Sequence, residues 1–224
     1  TADRLGVGDS GGGANGDTSS LTLGPSNTLL ADKIGIGGPV LNTDNENSGV
    51  VSFAIGLQAP SLVIRGTAGG ASRADLVLGS HGTRPVSWKS TRNVSGTLNT
   101  LGGTLDARIG SLVLGKSRGM QTGRGGATGT LSMDAGVVDA ESVVIGWSDG
   151  GDASGNRAVG NINVAGGRLT AGSVELARLS GGQRVSGSIN VAAGLVEIAG
   201  DMLLGLGSGT ASSVEATVTL TGGV

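Results

Sequence analysis

The chain contains no cysteine and no tyrosine, and only one phenylalanine, two tryptophans and one histidine in 224 residues. Without cysteine, disulfides and zinc–thiolate centres are excluded. With so few rings, the ordinary globular core, which draws its largest buried areas from aromatics, is excluded as well. No apolar run approaches the roughly 18–20 residues of a membrane helix, so direct membrane insertion is not expected. Neither sign of charge dominates: the formal net charge is −2, which argues against a nucleic-acid partner, since such proteins carry a basic excess. The opening Thr1-Ala2-Asp3-Arg4 is neither an initiator methionine nor a signal-peptide pattern, as expected of a mature chain or an excerpt.

What the chain does have is glycine, 46 residues of it, and a 37% hydrophobic content made almost entirely of aliphatics in short alternating runs. That content is too high for disorder. The glycines do not fall on every third residue, so collagen is excluded. Glycine-rich, aliphatic and ring-poor composition suits a narrow core of stacked Leu, Ile, Val and Ala.

A repeat organises these runs. One motif, apolar-x-apolar, followed by glycine in five of its seven copies, occurs at Leu5/Val7, Ile34/Ile36, Leu62/Ile64, Leu112/Leu114, Val143/Ile145, Val174/Leu176 and Met202/Leu204. The gap from Leu62 to Leu112 spans two periods, and Val86-Ser87-Trp88 is assigned as the missing copy. Seven steps then cover Leu5 to Met202, about 28 residues each. A second motif, 11 to 14 residues upstream, reads Gly96-Thr97-Leu98 through Asp106-Ala107, Gly129-Thr130-Leu131 through Asp139-Ala140, and Gly160-Asn161-Ile162 through Thr170-Ala171. Degenerate copies centre on Leu21/Leu23, Val51/Phe53 and Leu76/Leu78.

Alternation over three to five residues, bounded by glycine, is a strand signature. The spacing therefore predicts an all-β fold: a parallel β-helix (β-solenoid) of about eight coils, three short strands per coil, with residues 1–224 forming one domain or a segment of a longer array. Its stacked core is expected to contain Leu112, Leu114, Leu131, Met133, Val138, Val143, Ile145, Ile162, Val164, Leu169, Val174 and Leu176. A single coil cannot offset its ordering entropy, so stability must come from stacking.

Read from end to start, Val218-Thr219-Leu220-Thr221-Gly222-Gly223-Val224 runs into Thr1-Ala2-Asp3-Arg4-Leu5 much as Ile162–Leu176 runs inside the chain, with one residue fewer. No capping element is recognisable, and uncapped sheet edges invite pairing. The expected partner is self: head-to-tail continuation through Thr1, Ala2, Leu5, Val218, Leu220 and Val224, as stacked subunits or as covalent tandem units.

The pattern Gly-Thr-Leu-x-x-x-x-Gly-x-Leu-x-Ala at 96–107, followed by Ser-Leu-Val-Leu-Gly at 111–115, resembles autotransporter-associated β-strand repeats. Residues 129–146 and 160–176 are nearly as similar. The resemblance implies a right-handed parallel β-helix, an extracellular or bacterial cell-surface location, and a role as stalk or adhesive fibre. It specifies architecture better than function.

Candidate sites follow from charge and loops. Residues 1–50, 51–124 and 125–224 sum to −4, +7 and −5. This basic belt, including Arg65, Arg73, Lys89, Arg92, Lys116, Arg118 and Arg124, suggests lateral bundling or an acidic polysaccharide ligand. The long loops are placed at one edge, between the first and second strand of each coil, including residues 66–74. Asp44 with Glu46, and Asp149 with Asp152, are weak calcium candidates that match no known calcium loop. Asn93-Val94-Ser95 is a lone sequon. Trp88 is read as core-lining and Trp147 as a loop residue. His81, the one histidine, has no recognisable nucleophile or carboxylate partner, so neither enzymatic activity nor a cofactor is expected. Ice binding would need regular threonine ranks, and Thr97, Thr130 and Thr217 look too intermittent.

Overall fold

The computed structural model describes residues 1–8, 18–38, 47–81, 93–118, 125–149, 157–180, 184–207 and 213–222. Among them it is all-β. The strands are β1 (Ala2–Val7), β2 (Thr18–Leu23), β3 (Ser26–Ile36), β4 (Ser48–Phe53), β5 (Ser61–Arg65) and β6 (Ala74–Ser80). Next come β7 (Val94–Asn99), β8 (Thr104–Arg118), β9 (Ala127–Met133), β10 (Gly136–Asp149) and β11 (Arg157–Val164). The series ends with β12 (Arg168–Leu179), β13 (Arg184–Val191), β14 (Leu195–Ile198), β15 (Met202–Leu204) and β16 (Ser213–Leu220).

The strands form two parallel sheets that the chain visits alternately, which makes the molecule a β-solenoid. The first runs β1-β3-β5-β8-β10-β12-β14, with β6 joined to β3 and β8, and β15 joined to β12; the second runs β2-β4-β7-β9-β11-β13-β16. Each path, among the described residues, passes through seven levels, spaced about 4.8 Å apart.

Side-chain periodicity explains the winding. Along β8, Leu105, Ala107 and Ile109 are buried, then Leu112 and Leu114. The alternation slips by one residue at Gly110-Ser111, where the inward face changes direction. The same slip separates Ala140 from Val143 and Ala171 from Val174. The central levels thus contribute two inward runs from the first sheet and one from the second. The twelve stacked residues named above all lie in one buried cluster, which extends from Val7 to Val191.

Two details differ from the sequence reading. Ser61–Ile64 pairs with Thr104–Ala107, so Leu62 and Ile64 belong to the run of Leu105 and Ala107 and are not a copy of Leu112/Leu114. The copy in that place is Leu76/Leu78, which pairs with Ile34/Ile36 on one side and with Leu112/Leu114 on the other. Because β4 pairs directly with β7, the register leaves no extra level between them for Val86–Trp88, residues that lie outside the described set. The physical reason is an insertion, residues 66–73, at the corner between β5 and β6. It lengthens one level and makes it look like two. For the same reason the loop assigned to residues 66–74 does not share an edge with the others, which leave the first sheet after its last inward run.

That second corner is a glycine seam. Gly8, Gly37, Gly79, Gly115, Gly146, Ala177 and Gly205 occupy the register position after the last inward residue, with φ between 58° and 83° at every one. Opposite them the second sheet stacks Gly49, Gly96, Gly129, Gly160 and Gly187. A Cβ on Gly115 would overlap the carbonyl oxygen of Val159, and one on Gly96 the carbonyl oxygen of Ile36. Left-handed backbone and close approach of the two sheets both demand glycine here. Ala177 is the exception, buried among Ala158, Leu179 and Val185.

Candidate functional site

With register in hand, the outward side chains of the two sheets can be compared. On the first sheet charged residues are interspersed with outward apolar ones such as Val63, Val137 and Val144, and several of the charges are tied to one another within or across levels. Arg65 donates to the Asp106 carboxylate at 2.6 Å and to the Asp106 and Ile64 carbonyls at 2.8 Å. Arg73, the residue before β6, reaches over β8 to β10, donating to the Asp139 carboxylate at 2.9 Å and its carbonyl at 2.7 Å, and pairing with Glu141 at 3.0 Å. Arg168 pairs with Glu197, and Arg178 with Glu175 at 3.1 Å. Asp32 accepts from both the Thr67 amide (2.9 Å) and its hydroxyl (2.8 Å), which holds the carboxyl below the usual aspartate range.

These contacts redraw the basic belt. Arg65 and Arg73 are committed to neighbouring carboxylates and carbonyls and are not a free cationic strip. Lys116 lies over the Trp147 ring, 3.6 Å from its centroid, and Arg178 lies on the next level at 4.6 Å. Trp147 is therefore a strand residue of β10 between two cations and not a loop residue. Cation–π stacking between aligned levels is the favourable interaction there; sequence alone missed it because the three residues become neighbours only through the 31-residue register. Lys89, Arg92 and Arg124 lie outside the described residues, as does the side chain of Arg118.

The second sheet is different in kind. Its outward residues fall into three columns that run through all seven levels, with a further outward position at the seam edge that holds Arg157, Arg184 and Ser213 on the last three. The first is Thr18, Ser48, Ser95, Thr128, Val159, Ser186 and Glu215. The second is Ser20, Val50, Thr97, Thr130, Asn161, Ser188 and Thr217, and the third Thr22, Ser52, Asn99, Ser132, Asn163, Asn190 and Thr219. Eighteen of these twenty-one positions are Ser, Thr or Asn and one is charged; the face is a neutral lattice of donors and acceptors. Part of it is bonded along the axis: Ser188 Oγ to Asn161 Oδ1 at 2.8 Å, Asn190 Nδ2 to Asn163 Oδ1 at 3.0 Å, and Asn163 Nδ2 to Ser132 Oγ at 3.2 Å. Thr97, Thr130 and Thr217 share one column, a regularity concealed in the sequence by unequal spacing between levels. At the corner of this sheet Arg157, Arg184, Ser213 and Glu215 line a shallow recess of about 230 Å³.

The remaining candidates are placed as follows. Thr1, Ala2 and Leu5 lie on the first level, with Ala2 beside Ala31 and Leu5 beside Ile34. Val218 and Leu220 lie on the last, beside Ile189 and Val191; Val224 is outside the described residues. Asp44, Glu46 and Asp152 are likewise outside, as is the side chain of Asp149. Among the described residues no group of three or more His, Asp or Glu side chains is arranged to hold a metal ion. His81 is buried two residues past the seam glycine Gly79, its amide donating to the Lys116 carbonyl at 2.9 Å. Asn93 of the sequon accepts from the Gly126 amide at 2.8 Å.

No protein-family model matches the chain, and no curated protein or solved structure matches it at a significant level.

Proposed function

We propose that the chain is a structural unit of a cell-surface or extracellular fibre, extended along the solenoid axis by further levels of the same kind. One observation carries this reading. On the last level Leu204, Leu220 and Val218 are 56%, 61% and 43% exposed, whereas their register partners Leu176, Val191 and Ile189 are at most 1% exposed. Three apolar columns thus stop uncovered at one end, and open parallel edges accompany them. Both features favour another level. The right-handed winding and three-strand coil of autotransporter-associated repeats belong to the same reading, as does an extracellular setting.

Electron microscopy and sedimentation of the purified chain test this. Wild type is expected to form filaments whose length grows with concentration, and the Leu204→Lys/Leu220→Lys variant to remain as single units. A wild-type chain that stays monomeric at high concentration would remove the support for axial stacking.

A further inference from the structure

We infer that the outward face of the second sheet is a lateral docking surface for a second copy of this chain, face to face. The inference goes beyond axial extension and does not depend on it, because it uses a surface parallel to the solenoid axis.

Four properties point to a like partner. The first is charge. Glu215, at the rim of the last level, is the one ionic residue in the three columns, and the outward Arg157 and Arg184 lie beside them at the seam edge of the sheet, so the columns themselves meet a second copy without charge repulsion. The second is periodicity. A partner must present neutral donors and acceptors at the level spacing of about 4.8 Å, and a second copy does so in either axial direction. The third is side-chain size. Ser, Thr and Asn are short enough for two flat parallel sheets to interdigitate, and axial ladders such as Asn163–Asn190 leave fewer groups to be desolvated, as in zipper interfaces between parallel in-register sheets. The fourth is area. Seven levels by three outward columns cover about 34 × 20 Å, so a pair would bury roughly 1,300 Å² in total, within the range of specific interfaces.

A neutral saccharide is the weaker fit. Sugar faces are gripped by aromatic rings, and the columns contain none.

Thr130 stands at the centre of this lattice, on the fourth of seven levels and in the middle column. In a fully overlapped two-fold pair it meets its own copy, whether the axes run parallel or antiparallel. The chain has no cysteine, so a single introduced thiol is an unambiguous reporter. The experiment is oxidative cross-linking of Thr130→Cys, with Val144→Cys on the first sheet as control, both in the Leu204→Lys/Leu220→Lys background that removes axial contacts. The expected result is a disulfide-linked dimer formed at least ten-fold faster for Thr130→Cys, with sedimentation of the cysteine-free background giving a dimer that persists at 1 M salt and dissociates on Thr130→Lys. Equal cross-linking at the two sites, or a monomer throughout, would overturn the proposal. So would a monomer that binds a crystalline neutral polysaccharide and loses that binding on Thr130→Lys. Filament formation by the wild-type chain reports separately on the axial reading, so the two can fail independently.

Discussion

Gly115 and Val159 face each other across the seam where the two sheets come closest, and a side chain on Gly115 would occupy the space of the Val159 carbonyl oxygen. Gly115 also has φ of 67°. Left-handed backbone and overpacking each cost an L-residue about 1–3 kcal/mol, so Gly115→Ala is expected to destabilise by about 2–5 kcal/mol. Urea unfolding measures this as a fall in midpoint. In the same column Ala177→Gly should change stability by less than about 1 kcal/mol, because relief of left-handed strain is offset by the lost buried methyl and a freer unfolded chain. Equal effects at the two positions would contradict the seam as described.

Arg73 clasps three levels. Removing it in Arg73→Ala loses charge-assisted bonds to Asp139 and Glu141 and bonds to the Ile109 and Asp139 carbonyls. The groups are half-exposed, so a loss of about 1–2 kcal/mol is expected. Lysine should recover less than half of it, since an ammonium cannot reproduce the guanidinium fork. Thermal unfolding of the three proteins at low and high salt is the check, with the wild-type advantage shrinking as salt rises.

Asp32 gives a pH dependence of known sign. Its carboxyl is held low first by the Thr67 amide and then by the Thr67 hydroxyl. A depressed folded-state pKa means that its stabilising contribution is present above the unfolded value of about 3.9. That contribution is lost as pH falls through the folded value. NMR titration should place Asp32 below ordinary aspartates, and Thr67→Val should move it part of the way back, the amide being retained. A midpoint at or above the ordinary value in wild type would refute this.

Thr100 interrupts an apolar column whose neighbours are Phe53 and Met133, and it is fully buried. Its hydroxyl donates to the Ser132 carbonyl at 3.1 Å, but that carbonyl already accepts the Thr100 amide at 2.9 Å. Thr100→Val therefore strands no acceptor and adds a buried methyl. It should stabilise by about 0.5–1 kcal/mol, read as a raised unfolding midpoint.

The parallel solenoid was legible in the sequence wherever levels have equal length. The 31-residue step from Leu112 to Val143 to Val174 is the register itself. Legibility failed at Leu62/Ile64, because a three-residue alternating run carries no mark of which face it belongs to. Only its neighbours decide, and the 66–73 insertion had displaced them. The outward surfaces were hidden for a related reason: Arg73 and Asp139 are 66 residues apart in sequence, and Thr97, Thr130 and Thr217 form a column only once the levels are aligned. Core positions repeat along the chain, whereas surface partners are set by the exact length of every intervening level.

The glycine seam has a consequence for how such a chain can change. From the first-sheet seam residue to its second-sheet counterpart the chain takes ten residues between Ala177 and Gly187 and seventeen between Gly79 and Gly96. On the opposite side the chain takes seven residues to the same first-sheet column from Met133, Val164 and Val191, eight from Leu23 to Ala31 and nine from Thr100 to Ile109. Length is free at the seam and held within a narrower range at the opposite turn. Extra residues at the seam leave every downstream inward position in phase, and the Leu23–Ala31 and Thr100–Ile109 turns absorb one and two residues before the strand resumes its alternation. The molecule therefore behaves as a ruler with a blank margin: graduations of one level on its body, and a border where new segments can be written without disturbing the scale.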